Sequence, residues 1–248
     1  MGEIINMEHE RWLRMKKLDG VQAEGINGCM APAENCRNPA SYGAICVFCN
    51  LCGRFKEDEE IDVKKLVEIG DLSEGRTVRF AENEWEILDS HYTAADGETR
   101  GVLVLSKEPL FEKPFDEGNC NDWRKSTLRA YLNGEWLEKT GEDMIEKPFL
   151  EFVRDLTSDD GLEDYGVCTD KVSMLTCDEY RRYRRHISNK ADWWWTVTPW
   201  STPHTGFSNY ARRVYTDGTL NYNHAFGGYI GVAPAVCVSP DYVVEVVE

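Results

Sequence analysis

The chain has 248 residues, of which 42% are hydrophobic and 11% aromatic, so it can bury a core and is not expected to be globally disordered. Its formal net charge of −16 argues against nucleic acid or an anionic membrane as the main partner, because both require a basic surface. No run reaches the roughly 18 apolar residues of a membrane helix, and the first residues lack the basic-then-apolar order of a secretory signal. We therefore expect a cytoplasmic protein without nucleic acid or membrane insertion, and a phage particle is a compatible location.

The N-terminal 55 residues predict a short amphipathic helix over 4–18 and then a cysteine-rich, possible zinc-binding segment. The nine cysteines of the chain are an odd number, which disfavours a disulfide framework. Thiolates at CxxC spacing suit tetrahedral zinc, and the alternatives are free thiols in a small cap and an iron–sulfur cluster. A structural site is favoured, since too few residues surround the segment to make a catalytic pocket. The candidate ligands are Cys29, Cys36, Cys46, Cys49 and Cys52.

The remainder, residues 66–248, predicts one α+β domain with much irregular structure between its strands. Two short helices are expected within Asn121–Lys139, interrupted at Asn133-Gly134. A strand near residue 80 and another near residue 245 indicate that the two ends of the domain pair. The other predicted elements are strands at about 76–81, 84–91, 101–106 and 172–175, a helix over 178–185, and short strands in the final third.

The last quarter of the chain has a composition unlike the rest. Between Trp193 and Val236 there are four Trp, four Tyr, two Phe, two His and three Asn, but only one acid, Asp217. Large amphipathic rings give contact area at low entropic cost, and short polar side chains adapt their hydrogen bonds. This composition is typical of a recognition surface and predicts that the protein binds a ligand.

An ordered series of short motifs resembles the DUF6273 family of bacterial and phage proteins over roughly residues 66–248. The series consists of Gly70-Asp71, Trp85–Asp89, Leu103–Ser106, Trp123, Ser126–Asn133, Met174–Thr176, Trp194-Trp195, Pro199, Val214, Asp217-Gly218 and Gly231–Ala235. The resemblance implies a C-type-lectin-like fold, in the variant shared with formylglycine-generating enzymes. Two departures stand out, because the family patterns WWLRSP and GVRPA lack their arginines here, with Val197 and Ala233 in those places.

The resemblance also implies a role as a variable protein of a diversity-generating retroelement, in which a C-terminal segment (here 194–236) is mutated to change the ligand. Adenine-directed mutation of Asn codons readily yields Tyr, His, Ser and similar residues but not Trp or Lys, and His204–Tyr229 contains neither. Two alternatives stay open: an enzyme of the formylglycine-generating kind and a phage structural or adhesion protein. The enzyme is disfavoured, because no closely spaced cysteine pair follows residue 52.

The contact residues of a changeable segment should lie in loops or at alternating strand positions, separated by scaffold residues. We expect Val214, Val232, Pro234 and Val236 in the core, Trp194 as packing, and either environment for Trp195. The ligand is expected to be a protein or a glycan, bound without catalysis. The candidate ligand-binding residues are Trp200, Thr202, His204, Phe207, Asn209, Tyr210, Arg212, Tyr215, Asn221, Asn223, His224, Phe226 and Tyr229.

Overall fold

The structure is a computed structural model, and it describes residues 66–142 and 148–247. The chain divides into two units, Met1–Lys64 and Lys65–Glu248, and the described residues belong to the second. The predicted helix over 4–18 and the five candidate zinc ligands lie outside the described residues. The zinc site therefore stays a prediction.

The described residues alternate short strands with a few short helices. The strands are β1 (Leu66–Glu68), β2 (Thr77–Phe80), β3 (Asn83–Thr93), β4 (Arg100–Ser106), β5 (Phe111–Glu112), β6 (Phe149–Leu150), β7 (Phe152–Asp155), β8 (Val167–Asp170), β9 (Val172–Ser173), β10 (Trp194–Pro199), β11 (Tyr210–Val214), β12 (Leu220–His224), β13 (Gly231–Val232), β14 (Ala235–Val238) and β15 (Val243–Val247). The α-helices are α1 (Thr127–Tyr131), α2 (Leu137–Glu142) and α3 (Cys177–Tyr183). The predicted α+β class and the three predicted strands between residues 76 and 106 are confirmed.

The largest sheet joins the two ends of the domain. Its strand order is β1-β15-β2-β3-β4-β14-β6, with β9 also paired to β14. The last strand lies between the first two, and Val246 is opposite Val78 in antiparallel register. The predicted pairing of the strands near residues 80 and 245 is thus confirmed. A second sheet has the order β12-β11-β10-β13-β5, and β7 and β8 form a separate pair.

Strands in the middle of these sheets are buried on both faces. In β4, Val102 and Val104 belong to one hydrophobic cluster, whereas Leu103 belongs to another. Apolar side chains are needed on both sides of such a strand, so its sequence is a continuous apolar run rather than an alternation. The same holds in β10, where Trp195 enters the first cluster and Trp194 the second, and both are buried. Trp194 packs as predicted, and Trp195 is core as well.

The helical segment after residue 121 breaks where the sequence predicts. A π-helical turn, Leu132–Trp136, separates α1 from α2, and Gly134 inside it has non-helical φ and ψ of −114° and −106°. The Asn133 side chain accepts hydrogen bonds from the backbone N–H groups of Lys171 and Val172, both at 3.1 Å. An amide at the break therefore ties the helices to the start of β9.

A buried ion pair links the two-stranded β7–β8 pair to α3. The Arg154 guanidinium is almost fully buried and donates from Nη1 and Nη2 to the two carboxylate oxygens of Glu179, each at 2.6 Å. Arg154 Nη2 also donates to the Tyr92 hydroxyl at 2.7 Å. Glu179 completes a capping box with Thr176 at the start of α3. One carboxylate thus holds a helix terminus and neutralises a buried cation.

Replacing Arg154 by Met should destabilise the fold by about 3–5 kcal/mol, because it leaves the Glu179 carboxylate buried without its cation. Adding Glu179→Gln should recover a large part of that loss. Arg181→Met is the control, because the Arg181 side chain is half-exposed and pairs with Asp178 and Asp159, and it should cost about 1 kcal/mol or less. Urea unfolding of the full chain measures all three, and a double variant no more stable than Arg154→Met would contradict this reading.

The Arg154–Glu179 pair makes the fold less stable as the pH falls. Burial raises the pKa of Glu179, but the charge and hydrogen bonds of Arg154 lower it, and the net pKa lies below the usual 4.5. A carboxylate with a depressed folded pKa contributes stability above its unfolded pKa and loses it as the pH falls through the folded value. The acid-side slope of the unfolding free energy below pH 4.5 should therefore be shallower in the Arg154→Met/Glu179→Gln variant.

Candidate functional site

Exposed apolar side chains concentrate in the last quarter of the chain. Among the described residues, seven large hydrophobic side chains are exposed, and five of them lie between Trp193 and Tyr229. The other two, Val153 and Val167, lie on the β7–β8 pair. Contiguous exposed apolar area on a folded domain marks a site of interaction more often than a site of catalysis. The five are Trp193, Phe207, Tyr222, Phe226 and Tyr229.

Six rings form a continuous aromatic surface, here called the ring surface. Trp200 stacks on Tyr222 with centroids 4.6 Å apart and planes 9° apart. Tyr210 lies 4.4 Å from His224, whose ring stacks on Phe226 at 5.2 Å. Each ring thus contacts at least one other, and the rings hold one another in defined orientations. The members are Trp200, Phe207, Tyr210, Tyr222, His224 and Phe226.

The register of β11 and β12 places half of these rings on one face. Tyr210 is opposite His224, and Arg212 is opposite Tyr222. Directly opposed residues of antiparallel strands share a face, so these side chains project to the same side. Asn221 and Asn223, which are at the intervening positions, project to the other side. The sheet therefore separates the predicted contact residues into two groups.

The loop that carries Trp200 and Phe207 is fastened by one buried amide. The side chain of Asn121 is fully buried and donates from Nδ2 to the carbonyl oxygens of Ser201 at 2.9 Å and Tyr210 at 2.8 Å, with Phe207 at 3.3 Å. Its backbone N–H donates to the carbonyl of Ser208 at 2.9 Å. Buried carbonyls need partners, and here one residue supplies them for both ends of the loop.

Asn121 is itself fixed by a tyrosine. The Tyr165 hydroxyl donates to Asn121 Oδ1 at 2.7 Å. Burial raises the pKa of Tyr165, so the phenol stays protonated and remains a donor. This bond sets which end of the Asn121 amide faces the loop carbonyls. The Arg124 guanidinium lies over the Tyr165 ring, 5.6 Å from its centroid.

A second set of bonds ties the loop to the acidic segment at residues 158–164. Thr202 Oγ1 donates to the carboxylate of Asp164, and Ser201 Oγ donates to Asp160 at 2.6 Å. Burial raises the pKa of Asp160, but the Ser158 and Ser201 hydroxyls lower it, and the net pKa lies below its usual value. Thr202 is fully buried and its oxygen also caps the 3₁₀ turn Pro203–Thr205. The prediction of Thr202 as a contact residue is corrected: the tether to Asp164 draws its side chain inside.

The thirteen predicted contact residues do not form a single surface. Trp200, Phe207, Tyr210, His224 and Phe226 meet in the ring surface, and Tyr215 and Tyr229 pack around Trp193 instead, at centroid distances of 5.1 and 6.3 Å. Asn223 Nδ2 donates to the Tyr229 hydroxyl at 2.9 Å. Arg212 is only slightly exposed and pairs with Asp159 at 3.4 Å. His204 is exposed, and Asn209 and Asn221 are half-buried.

Sequence reasoning left out three residues of this region. Tyr222 is exposed and stacked in the ring surface, although the alternation of Asn221 and Asn223 pointed to the other face of β12. Both faces of an edge strand can be partly open, which the burial of β12 shows. Trp193 is exposed at 38%, just before β10 begins. Asn121 carries no local signal, because its side-chain partners are 44 or more residues away.

The cysteines of the described residues lack the features of catalytic nucleophiles. Cys177 and Cys237 are buried and Cys120 and Cys168 are half-buried, and all four are free thiols. Burial raises the pKa of Cys237 to about 12 and that of Cys168 to about 11, so both stay protonated. Within residues 66–142 and 148–247, no group of three or more His, Cys, Asp or Glu is placed to hold a metal ion.

The comparisons with known proteins give no family. The chain shows no significant match to any family model, curated protein or solved structure. Among the described helices, none combines the length and apolar character that crossing a bilayer requires.

Replacing Asn121 by Ala should destabilise the fold by about 3 kcal/mol, because the Ser201 carbonyl and the Tyr165 hydroxyl lose their partners inside the protein. The loop amides, such as that of Trp200, should exchange hydrogen faster than in the wild type. Asn209→Ala is the matched control, since its amide has only a 3.4 Å contact with His224, and its cost should stay within about 0.5 kcal/mol. Equal effects of the two substitutions would show that Asn121 does not hold the loop.

Proposed function

We propose that this protein is a non-enzymatic ligand-binding protein whose ring surface contacts a protein ligand, on a scaffold of the C-type-lectin-like kind. The observation that carries the proposal is the exposure of Phe207, Tyr222 and Phe226, at 47%, 42% and 55%, on a surface whose backbone is tied down. Exposed rings in fixed positions give up little conformational entropy on binding. Such a surface already has its binding conformation in the absence of a ligand.

The arrangement of the rings favours a protein ligand over a glycan. Trp200 is stacked on Tyr222, but Phe207 and Tyr210 meet Trp200 edge to face, with interplanar angles of 62° and 88°. The result is a tilted, uneven set of rings rather than a single flat ring flanked by polar groups. Tyr- and Trp-rich surfaces of this kind are common in protein-binding sites.

The spacing of the cysteines does not favour the enzyme alternative. Oxidation of the formylglycine-generating kind would use a close pair of cysteines, and the smallest spacing among the four described cysteines is nine residues, between Cys168 and Cys177. Burial raises the pKa values of Cys168, Cys177 and Cys237, which makes these three thiols poor nucleophiles. A phage structural or adhesion protein would use the same ring surface and differ only in its partner.

We further propose that the chain is related to the DUF6273 family and acts as a variable protein of a diversity-generating retroelement. Positions 207, 222 and 226 are exposed, so their side chains can change without opening a cavity, while Val214, Val232 and Val236 between and beyond them are buried. The two positions where the family has arginine are apolar and fully buried here: Val197 lies in the first hydrophobic cluster and Ala233 in the second. Two buried apolar side chains therefore occupy the positions at which the family has arginine.

A displayed random-peptide library selected on the immobilised full chain tests the binding function. Peptides should be enriched on the wild type, and the variant Phe207→Ser/Tyr222→Ser/Phe226→Ser should bind the enriched peptides about 100-fold more weakly, because exposed aromatic anchors carry most interface energy. Val153→Ser/Val167→Ser is the matched control, with exposed apolar residues on another sheet. No enrichment, or equal losses in both variants, would contradict the proposal. A glycan array run in parallel that bound while peptides did not would change the ligand class.

The retroelement role has a separate genomic test. We expect a near-identical repeat of the DNA encoding His204–Tyr229 beside a reverse transcriptase gene, with differences from the coding copy confined to adenines of the repeat. Such mutation at adenines would account for the absence of Trp and Lys in this segment. Sequencing the locus decides it. A locus with neither feature would remove the retroelement role and leave ligand binding untouched.

A further inference from the structure

A second aromatic group on the other side of β11 contains a buried arginine. Arg213 is in β11, opposite Trp195 of β10 and Asn221 of β12, and only 7% of its surface is exposed. Its guanidinium carbon lies 4.3 Å from the Trp193 ring centroid and 4.8 Å from that of Tyr215. The two ring centroids are 5.1 Å apart, so the three centres form a nearly equilateral triangle. The rings thus meet over one side of the guanidinium and do not sandwich it.

The charge of Arg213 is not balanced within the part of the chain that the structure describes. Nη2 donates to the Tyr215 hydroxyl at 3.1 Å, but Nε and Nη1 are buried and have no hydrogen-bond acceptor. No described carboxylate forms an ion pair with it. Two other arginines with little exposed surface differ in this respect, since Arg154 forms an ion pair with Glu179 and Arg212 with Asp159.

The two rings do not replace the hydrogen-bond acceptors that Arg213 Nε and Nη1 lack. Two cation–π contacts attract the charge, but they supply no acceptor for an N–H group that burial has removed from water. A buried guanidinium without acceptors is costly to the folded state, and such a cost persists in native proteins where the group meets a partner. An anionic group reaching Arg213 would offset it.

Trp193, whose ring lies against the guanidinium, is an exposed side chain, and its neighbour Tyr229 is exposed as well. Trp193 is 38% and Tyr229 57% exposed, and they contact each other at 6.3 Å between centroids. Tyr229 is held by one hydrogen bond from Asn223. Neither Trp193 nor Tyr229 belongs to the two hydrophobic clusters, so a ligand group can displace them without opening the core.

We propose that Arg213, with Trp193 and Tyr215, forms a subsite for a carboxylate of the ligand. This rests on the proposed ligand-binding function and adds the chemistry of one ligand group. A carboxylate is planar and accepts two parallel N–H bonds from a guanidinium edge, and it is the anionic group that a protein ligand carries on its own side chains. In a protein ligand the group is an Asp or Glu side chain or a chain terminus, and both offer the same acceptors.

Propionate is the probe for this subsite, and propionamide is its neutral counterpart of the same shape. With the full chain labelled at arginine nitrogen, propionate should shift the Nε–Hε resonance of Arg213 in a saturable manner, and propionamide should not. A shift shared by the exposed Arg185 would reveal nonspecific ion effects, and no saturable shift with propionate, or an equal shift with propionamide, would overturn the proposal.

The variant Arg213→Met separates recognition from structure. It should lose the propionate response and keep or raise the melting temperature, since an unpaired buried charge is replaced by an apolar chain of similar length. Arg185→Met is the matched control and should change neither. A melting temperature lowered by Arg213→Met, with no propionate response in the wild type, would assign Arg213 a packing role. The variant Phe207→Ser/Tyr222→Ser/Phe226→Ser should still respond to propionate, so failure of the ring surface and failure of this subsite are distinguishable.

Discussion

The proposed site depends on the need of buried backbone carbonyls for partners. The segment between β10 and β11 is irregular, so its carbonyls cannot be satisfied by a neighbouring strand. Asn121 supplies donors to Ser201 and Tyr210, at the two ends of this segment, and Tyr165 holds the Asn121 amide in place. Together with the bonds of Thr202 to Asp164 and of Ser201 to Asp160, these contacts set the path of the loop that carries Trp200 and Phe207.

The sheets form the rigid scaffold that carries the proposed site. Because β4 and β10 are buried on both faces, two hydrophobic clusters share the same backbone, and neither strand can shift without disturbing both. The open faces appear at the β11–β12 edge, where burial is only partial. Rings exposed there are held by a scaffold that does not rely on them, which is what a changeable recognition surface requires.

The sequence predicted the regular part of the fold well. The strands at 77–80, 83–93 and 100–106, the break at Gly134 and the pairing of the domain's ends all follow from apolar patterns and turn residues. These signals are local, or they concern the two ends of the domain, which pair within one sheet. They could not show that both Trp194 and Trp195 are core, since a strand between two hydrophobic clusters loses the alternation that marks an exposed face.

The candidate site was predicted in composition but not in arrangement. The enrichment of rings pointed to the segment that contains five of the seven exposed large hydrophobic side chains of the described residues, yet the predicted contact residues included Asn221 and Asn223 and passed over Tyr222. The burial of Thr202 depends on Asp164, and the function of Asn121 depends on carbonyls 80 and 89 residues later. Such contacts are set by tertiary packing, and no pattern of neighbouring residues encodes them.

Hydroxyl-radical footprinting of the full chain, with and without a peptide enriched on it, tests the central claim most directly. Aromatic side chains oxidise readily, so the exposed members of the ring surface report on their own contacts. The account predicts that the peptide protects Phe207, Tyr222 and Phe226 and leaves Val153 and Val167 unchanged. Protection confined to Val153 and Val167, with the rings still oxidised, would contradict it.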